Sequence, residues 1–343
     1  MSPVITSCAS DTLDARPQTV HSHTRDGMKV GVTGGNGFIG RYVCEELASR
    51  GHVPLVFDHR GHAERDLPWE VMRGDIRDAT TMTELAAHCD AIVHLAAVLG
   101  TQETITNPRP AAETNLMGGL NFLEAVAQYD LPGVYICVGN HWMDNSYSIS
   151  KTAVERFVRM FNAHRGTRVN NVRVVNAYGP RQQAAPPFAP GKVRKITPAV
   201  VCRALSGMPV ELYGGGTQVS DMVWVGDVAR ALVSALETAA AGEVLDHVVE
   251  VGPTSSSTIR EVAELVIDLC EARGYPRVPI ADLPMRPGET PDTAVTAQTK
   301  TLLSVGIEPS SLVSLDEGMA RTVDWFIENR GIHWNVPGAV ATA

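Results

Sequence analysis

From Met28 to Val175 the chain alternates short apolar runs with longer stretches of helical periodicity. Residues 30–33 form an apolar run that ends in glycines, 38–49 have a helical pattern closed by Gly51, and 53–57 read as a second buried strand. Val71 and Met72 follow, then the run AIVHLAA at 91–97, a long helix through 115–129 and the run GVYICV at 133–138. A helix over about 147–164 and a strand through 172–175 complete this half. The apolar runs carry no internal polar alternation, as expected of strands covered on both faces, and helices between them supply the crossovers of a parallel sheet.

The pattern changes after Asn176. Pro180, Pro186, Pro187 and Pro190, with Gly191 beside them and Pro198 beyond Lys195, predict a lid or substrate loop, because regular patterns resume on both sides. Segments 211–225 and 281–297 are short and mixed. Helices are expected after Asp227, read as a capping residue for 228–236, after Ser257, and over 315–329, where Met319, Val323 and Phe326 mark an apolar face. No internal repeat is visible.

Composition narrows the classes. With 343 residues, 44% hydrophobic and 20% charged, the chain is an ordinary globular protein of about two domains or one large α/β unit, not a mainly disordered one. No run approaches the ~18 apolar residues of a membrane span. The net charge of −9 argues against a general nucleic-acid binder, since phosphate affinity comes largely from basic residues. Cys8, Cys44, Cys89, Cys137, Cys202 and Cys270 are scattered, without a C-x-x-C pair or histidines at ligand spacing. They read as reduced thiols in a cytoplasmic setting, with no metal site. Residues 1–27 lack an apolar core and read as a disordered leader rather than a signal peptide, with Met28 an alternative start. His21 and His23 fall in that leader and are not taken as metal ligands.

Two motifs carry chemistry. Gly34, Gly37 and Gly40 form G-x-x-G-x-x-G between a predicted strand and helix. The first glycine permits the tight turn, the second lets backbone approach a pyrophosphate, and the third lets helix and strand pack closely. The helix start, with Phe38 and Ile39, offers N–H groups and partial positive charge to phosphates. Asp58 follows eighteen residues past Gly40, where a carboxylate can accept both ribose hydroxyls and repel a 2′-phosphate. That favours NAD, although Arg60 is a feature compatible with NADP. Tyr147 and Lys151 stand at i and i+4 on one helix face. A cation one turn from a phenol favours the phenolate, and the pair can take a proton from a substrate hydroxyl while hydride leaves the same carbon. A surface tyrosine beside a solvated lysine would give the same spacing.

Taken in order, these motifs, Gly74-Asp75-Ile76, His94-Leu95-Ala96-Ala97, Asn115 and Asn176-Ala177-Tyr178-Gly179-Pro180 resemble the extended short-chain dehydrogenase/reductase family. Within it the resemblance is to the NDP-sugar epimerase/dehydratase group. Residues 216–225, GTQVSDMVWV, resemble that family's G-x-Q-x-R-D-F-x-Y-V, and Arg286-Pro287-Gly288-Glu289 resembles its R-x-G-D. The resemblance implies a Rossmann-type doubly wound parallel sheet over 28–176, with 221–251 returning to it and a smaller substrate-binding domain over 177–335. It implies NAD held by Gly34, Gly37, Phe38, Ile39, Gly40, Asp58, Arg60, Asp75, Ile76, Leu95, Ala96, Ala97, Asn115, Val138, Tyr147 and Lys151. A nucleotide sugar would be bound by Val98, Asn140, Asn176, Lys195, Gln218 and Arg286. It also implies a homodimer through the helices around 107–129 and 147–164.

Three departures bear on the reaction. The family's usual Ser or Thr after the fifth strand is Asn140, which can orient a hydroxyl but cannot relay its proton. The stretch from Asn140 to Tyr147 is only seven residues, shorter than is usual in the family, which brings His141, Trp142 or Asp144 into range of the site unless they remain in a solvated loop. The arginine expected before Asp221 is Ser220, for which Arg181, Arg194 or Lys195 could substitute if they are not simply a solvated basic stretch. The Thr-Asp-Glu of a 4,6-dehydratase is absent after the fifth strand, so dehydration ranks below C4 epimerisation, with Tyr147 as base, Lys151 its activator and Asn140 orienting substrate. A reductase or dehydrogenase on a non-standard substrate and a catalytically lapsed NAD-binding protein are the alternatives.

Overall fold

The computed structural model describes residues 27–60, 68–188, 195–286 and 293–329. Most of the leader with Cys8, His21 and His23, the lid residues Pro190, Gly191 and Arg194, and Pro287 to Glu289 lie outside the described residues.

The first half lays down β1 (Lys29–Thr33), α1 (Phe38–Ser49), β2 (Val53–Asp58), β3 (Glu70–Arg73), α2 (Ala79–Ala87) and β4 (Ala91–His94). Two short helical turns, α3 (Glu103–Thr106) and α4 (Arg109–Ala111), lead into α5 (Gly118–Tyr129), β5 (Pro132–Val138), α6 (Ser146–Arg165) and β6 (Arg168–Val174). Then come β7 (Asn176–Tyr178), α7 (Ile196–Leu205), β8 (Val210–Tyr213), β9 (Val219–Ser220), β10 (Met222–Trp224), α8 (Val225–Ala240) and β11 (Val249–Val251). The last described elements are α9 (Ile259–Glu271), β12 (Ile280–Leu283), β13 (Ala294–Val295) and α10 (Leu315–Glu328).

Seven strands form one parallel sheet in the order β11-β6-β5-β4-β1-β2-β3, a Rossmann-type α/β fold. Its strands are buried on both faces because each face is covered by helices. Val43 and Leu47 of α1 meet Val228, Leu232 and Leu236 of α8 on one side. Met82, Leu85, Phe122, Val126, Val154 and Val158 from α2, α5 and α6 fill the other. A separate core gathers Val200, Leu205, Leu212, Val262, Val266, Met319, Val323 and Phe326 beside three two-stranded parallel pairs. Strand order reverses between β1 and β4, so the crevice for a ligand opens at the carboxyl ends of these strands.

The structure corrects three element readings. β4 stops at His94, not Ala97, because the Thr33 hydroxyl accepts the N–H groups of Leu95 (3.0 Å) and Ala96 (3.2 Å) and draws them off the sheet. The helix expected through 115–129 is interrupted: Ala112–Met117 is a wider π-helical turn that projects Asn115 inward, and regular helix begins at Gly118. Asp227 does not cap a helix beginning at 228. It lies within the first turn of α8, where its carboxylate accepts the Val313 N–H (2.8 Å) and pairs with Arg230.

Candidate active site

Every chemical motif of the first half falls at the carboxyl edge of the sheet. Gly34 leaves β1 with a φ of 70°, and a Cβ there would stand 3.0 Å from the Ala96 backbone. A Cβ on Gly40 would lie 2.4 Å from the Gly34 carbonyl oxygen, so only glycine lets α1 approach the turn. Gly37 is the N-cap of α1 and has no side chain to satisfy the first-turn N–H groups. Phe38 and Ile39 begin the same helix. The result is a tight glycine turn leading into a helix start that no side chain caps, suited to an anion.

Asp58 ends β2 with its side chain only 2% exposed. Its carboxylate accepts the Arg60 backbone N–H (3.1 Å) and both Nε (3.1 Å) and Nη2 (3.3 Å) of that side chain. Burial would raise the Asp58 carboxyl, but the Arg60 hydrogen bonds outweigh it and hold the group below the usual carboxylate range. Asp75 is bridged by Arg77 (2.6 Å), and the buried Ile76 packs where any side chain at Gly118 would collide. Leu95, Ala96 and Ala97 are half-buried along the crevice facing Gly34.

Asn115 ties the crevice together. Its Oδ1 accepts the Val98 N–H (2.7 Å), and its Nδ2 donates to the Val98 carbonyl (3.0 Å) and to Ser150 Oγ of α6 (3.1 Å). Asn145 caps α6 by accepting the Ser148 N–H (2.9 Å), and the Tyr147 N–H donates to Thr104 Oγ1 (3.3 Å). These contacts fix the first turn of α6, and with it Tyr147 and Lys151 on one face. Lys151 is 2% exposed, and its Nζ has no hydrogen-bond partner among the described residues; it stands 4.1 Å above the Tyr135 ring, whose hydroxyl donates to the Lys151 carbonyl. Burial pushes the Lys151 ammonium down to about 8 and the Tyr147 phenol up to about 12. A buried ammonium without a hydrogen-bond acceptor is costly, and a bound ligand could supply one.

His94 is buried and stacked on Phe122, with Nδ1 3.1 Å from Thr33 Oγ1. Thr33 already accepts two N–H groups, so its own hydrogen is directed to Nδ1 and the proton of the imidazole sits on Nε2. Burial, reinforced by Lys151, drives His94 well below its ordinary value and keeps it neutral.

Val138 ends β5, and Asn140 lies in the turn that follows. Its side-chain amide donates to Met143 Sδ (3.1 Å), and its backbone carbonyl accepts the Met143 N–H. His141, Trp142 and Asp144 are exposed on the same turn. Across the sheet, Asn176 Nδ2 donates to Ser220 Oγ (2.5 Å), so the serine in place of an arginine is buried and engaged. Gln218 donates to the Tyr213 carbonyl (3.1 Å), and the Arg286 guanidinium stacks over the Tyr213 ring at 4.9 Å, bringing these two substrate candidates together. Lys195 is the N-cap of α7; it reaches solvent but is crowded by the surrounding chain, which lowers its ammonium, while Glu103 opposes that shift. Arg181 pairs instead with Glu45 of α1 (2.5 Å), and Tyr42 donates to the Pro180 carbonyl, tethering the start of the lid. Among the described residues, no His, Cys, Asp and Glu side chains gather as a metal site, and no helix is long and apolar enough to cross a membrane. Thr33, Thr104 and Tyr135 were not singled out from the sequence, although Thr33 directly precedes the glycine motif.

A family model described as the NAD dependent epimerase/dehydratase family matches residues 30–252. A dTDP-glucose 4,6-dehydratase of Xanthomonas campestris pv. campestris is 30% identical, over 87% of this chain and 93% of the relative. A UDP-N-acetyl-alpha-D-glucosaminuronate decarboxylase of Bacillus cytotoxicus is 26% identical over 87% and 97% of the two chains. The crystal structure of the Thermus thermophilus UDP-glucose 4-epimerase in complex with NAD superposes with a TM-score of 0.74 at 30% identity, covering 89% of this chain and all of that one.

Proposed function

Because the chain belongs to the NAD dependent epimerase/dehydratase family, we propose that it is a nucleotide-sugar epimerase that inverts C4 of a hexose through a transient 4-keto sugar, with Tyr147 as base. The observation that carries this reading is the Tyr147 and Lys151 pair on the first turns of α6, with the buried ammonium lacking a hydrogen-bond partner. The relatives span dehydration, decarboxylation and epimerisation, so likeness alone does not choose the reaction. Asn140 after β5, without the Thr-Asp-Glu of a dehydratase, favours the step that needs a single acid–base residue.

The residues present fit NAD. The glycine cradle and the start of α1 suit the pyrophosphate, Asp58 the adenosine ribose, Asp75 and Ile76 the adenine, and Lys151 the nicotinamide ribose. Leu95, Ala96, Ala97, Asn115 and Val138 complete the groove, with Arg60 at its rim. When bound, NAD supplies a hydride acceptor that can return the hydride. The protein's part is acid–base chemistry. In the ligand-free protein burial holds Tyr147 as a neutral phenol; in the filled site its phenolate would be the base that takes the proton of the substrate hydroxyl, with the Lys151 ammonium one turn away stabilising that charge. Asn140 orients the hydroxyl by hydrogen bonding. Val98, Asn176, Lys195, Gln218 and Arg286 hold the nucleotide sugar, Arg286 through charge-assisted contact with phosphate. Once the keto sugar has turned over, Tyr147 returns the same proton, so one residue serves both directions. A homodimer is part of this reading, supported by the exposed Met117 and Ile149 flanking the α5 and α6 region.

Proton NMR of the anomeric region, with NAD and a panel of UDP- and dTDP-hexoses, tests it. A new anomeric signal of unchanged mass is expected, reduced about 10²–10⁴-fold in Tyr147→Phe. Stoichiometric NADH formation would instead establish the second reading, a dehydrogenase on a substrate with weaker phosphate contacts, which the buried Ser220 favours.

A further inference from the structure

Lys151 is held at two points by one residue of the neighbouring strand. Tyr135, in the middle of β5, is fully buried; its ring centroid lies 4.1 Å from the Lys151 Nζ, and its hydroxyl donates to the backbone carbonyl of the same lysine (3.2 Å). The ring is itself fixed. His94, its register partner on β4, lies nearly parallel to it at 5.8 Å and 16°, and is stacked in turn on Phe122 at 4.8 Å and 12°. Burial keeps His94 neutral, so this column brings no second cation toward the ammonium. Glu155, the acidic side chain of α6, is bound by Arg173 at 2.8 and 3.0 Å.

We propose that Tyr135 is a positioning residue of the active site, its ring holding the Lys151 ammonium on the face of α6 that carries Tyr147 until a ligand offers hydroxyl oxygens to it. The proposal rests on the reading of Lys151 as the activator of Tyr147. The negative face of an aromatic ring attracts a cation within about 6 Å of its centroid, and most strongly where water is excluded, as it is here. A carboxylate would bind the ammonium more tightly, but it would occupy the N–H donors and cancel the charge that the Tyr147 phenolate is to feel. A ring does neither. The three donors stay open to hydroxyl groups of cofactor or substrate, and the charge stays whole. The Tyr135 hydroxyl adds the second constraint: by bonding the carbonyl at 151 it fixes the root of the side chain relative to β5. A tyrosine that only filled the core would require a partner for its hydroxyl, but not a cation over its face.

The test compares Tyr135→Phe with proteins carrying mono-, di- and trifluorinated phenylalanine at the same position. These side chains keep the size of the ring, so the core still packs, while each fluorine weakens its negative face. The full-length protein, freed of nucleotide, is labelled with 13C at the lysine Cε, and the Lys151 signal, identified by its loss in Lys151→Met, is titrated from about pH 6 to 11. Of the groups facing the ammonium, burial holds the Cys137 thiol of β5 and the Tyr147 phenol above their ordinary values and His94 of β4 below its own, and Glu155 is paired with Arg173. The Lys151 midpoint, about 8 in the parent, is expected to stay close to that in Tyr135→Phe and then to fall stepwise with fluorine, by about one pH unit over the series. A midpoint that is constant across the series, or one that rises, overturns the proposal, because a ring that only fills space does not respond to its charge distribution. Turnover of UDP- and dTDP-hexoses by the same proteins separates the two readings. Turnover by the parent with a constant midpoint removes the positioning role alone, whereas a stepwise fall without turnover on any nucleotide sugar removes the epimerase and keeps the hold of Tyr135 on Lys151.

Discussion

Lys151 and Arg173 are both buried cations packed against α6, yet the fold treats them in opposite ways. Arg173 on β6 is clasped by Glu155 of α6 at 2.8 and 3.0 Å and by Glu250 of β11 at 2.6 Å. Lys151 lies one turn before Glu155 and has no hydrogen-bond partner for its Nζ among the described residues. Arg173 joins two strands and a helix through both terminal amino groups, and only its Nε lacks a partner among the described residues. Lys151 is held ready at a cost, since a buried charge without a partner lowers stability. The Arg173 charge is neutralised within the fold by two carboxylates, whereas the Lys151 ammonium meets no carboxylate or hydrogen-bond acceptor among the described residues.

Lys151→Met breaks the comparison most sharply. Turnover should fall by about 10²–10⁴-fold, the span of a positioned acid–base group. Stability of the cofactor-free protein should stay level or rise by about 1–3 kcal/mol, because an unsatisfied buried group is removed. Urea denaturation beside the NMR assay measures both; a large loss of stability would show that the ammonium is structural. Arg173→Met should do the reverse, costing about 3–5 kcal/mol by leaving Glu155 and Glu250 without their cation, while turnover per folded molecule stays within a few-fold.

The pH dependence sharpens the contrast. Burial places the Lys151 ammonium at about 8 in the folded protein against an ordinary value near 10.5, so between these the unfolded chain binds the additional proton. Stability conferred through this group therefore rises with pH across that window. Denaturation at pH 7.5 and 10 should show the gap between the parent and Lys151→Met narrowing, by about 3 kcal/mol at most. A constant gap would mean that the ammonium is not desolvated. Ser220→Arg is the smallest effect: a guanidinium beside Asn176 should tighten UDP binding about tenfold by calorimetry, the scale of one charge-assisted contact.

What the sequence disclosed depended on how near in the chain the interacting residues lie. The strands at β1, β2 and β5 are uninterrupted apolar runs, and the glycine motif and the Tyr147/Lys151 pair each fit within a few residues. Leu95 to Ala97 read as strand because they are apolar, but a hydroxyl on Thr33 sixty-two residues before Leu95 decides their path. The π-helical turn was illegible for the same reason: Asn115 is turned inward by Val98 and by Ser150, thirty-five residues away. Ser220 in the arginine's place is legible in the motif itself, but its contact with Asn176, 44 residues away, forms only in the fold.

The short turn from Asn140 to Asn145 has a consequence for the entropy of binding. A long wall over a sugar would have to be ordered as the ligand arrives, at about 1–2 kcal/mol for each residue fixed. Here the wall is fastened by its own backbone hydrogen bonds and by the cap of α6, and that ordering is complete when the chain folds. Affinity gained on this side of the cleft is then not offset by the freezing of a loop.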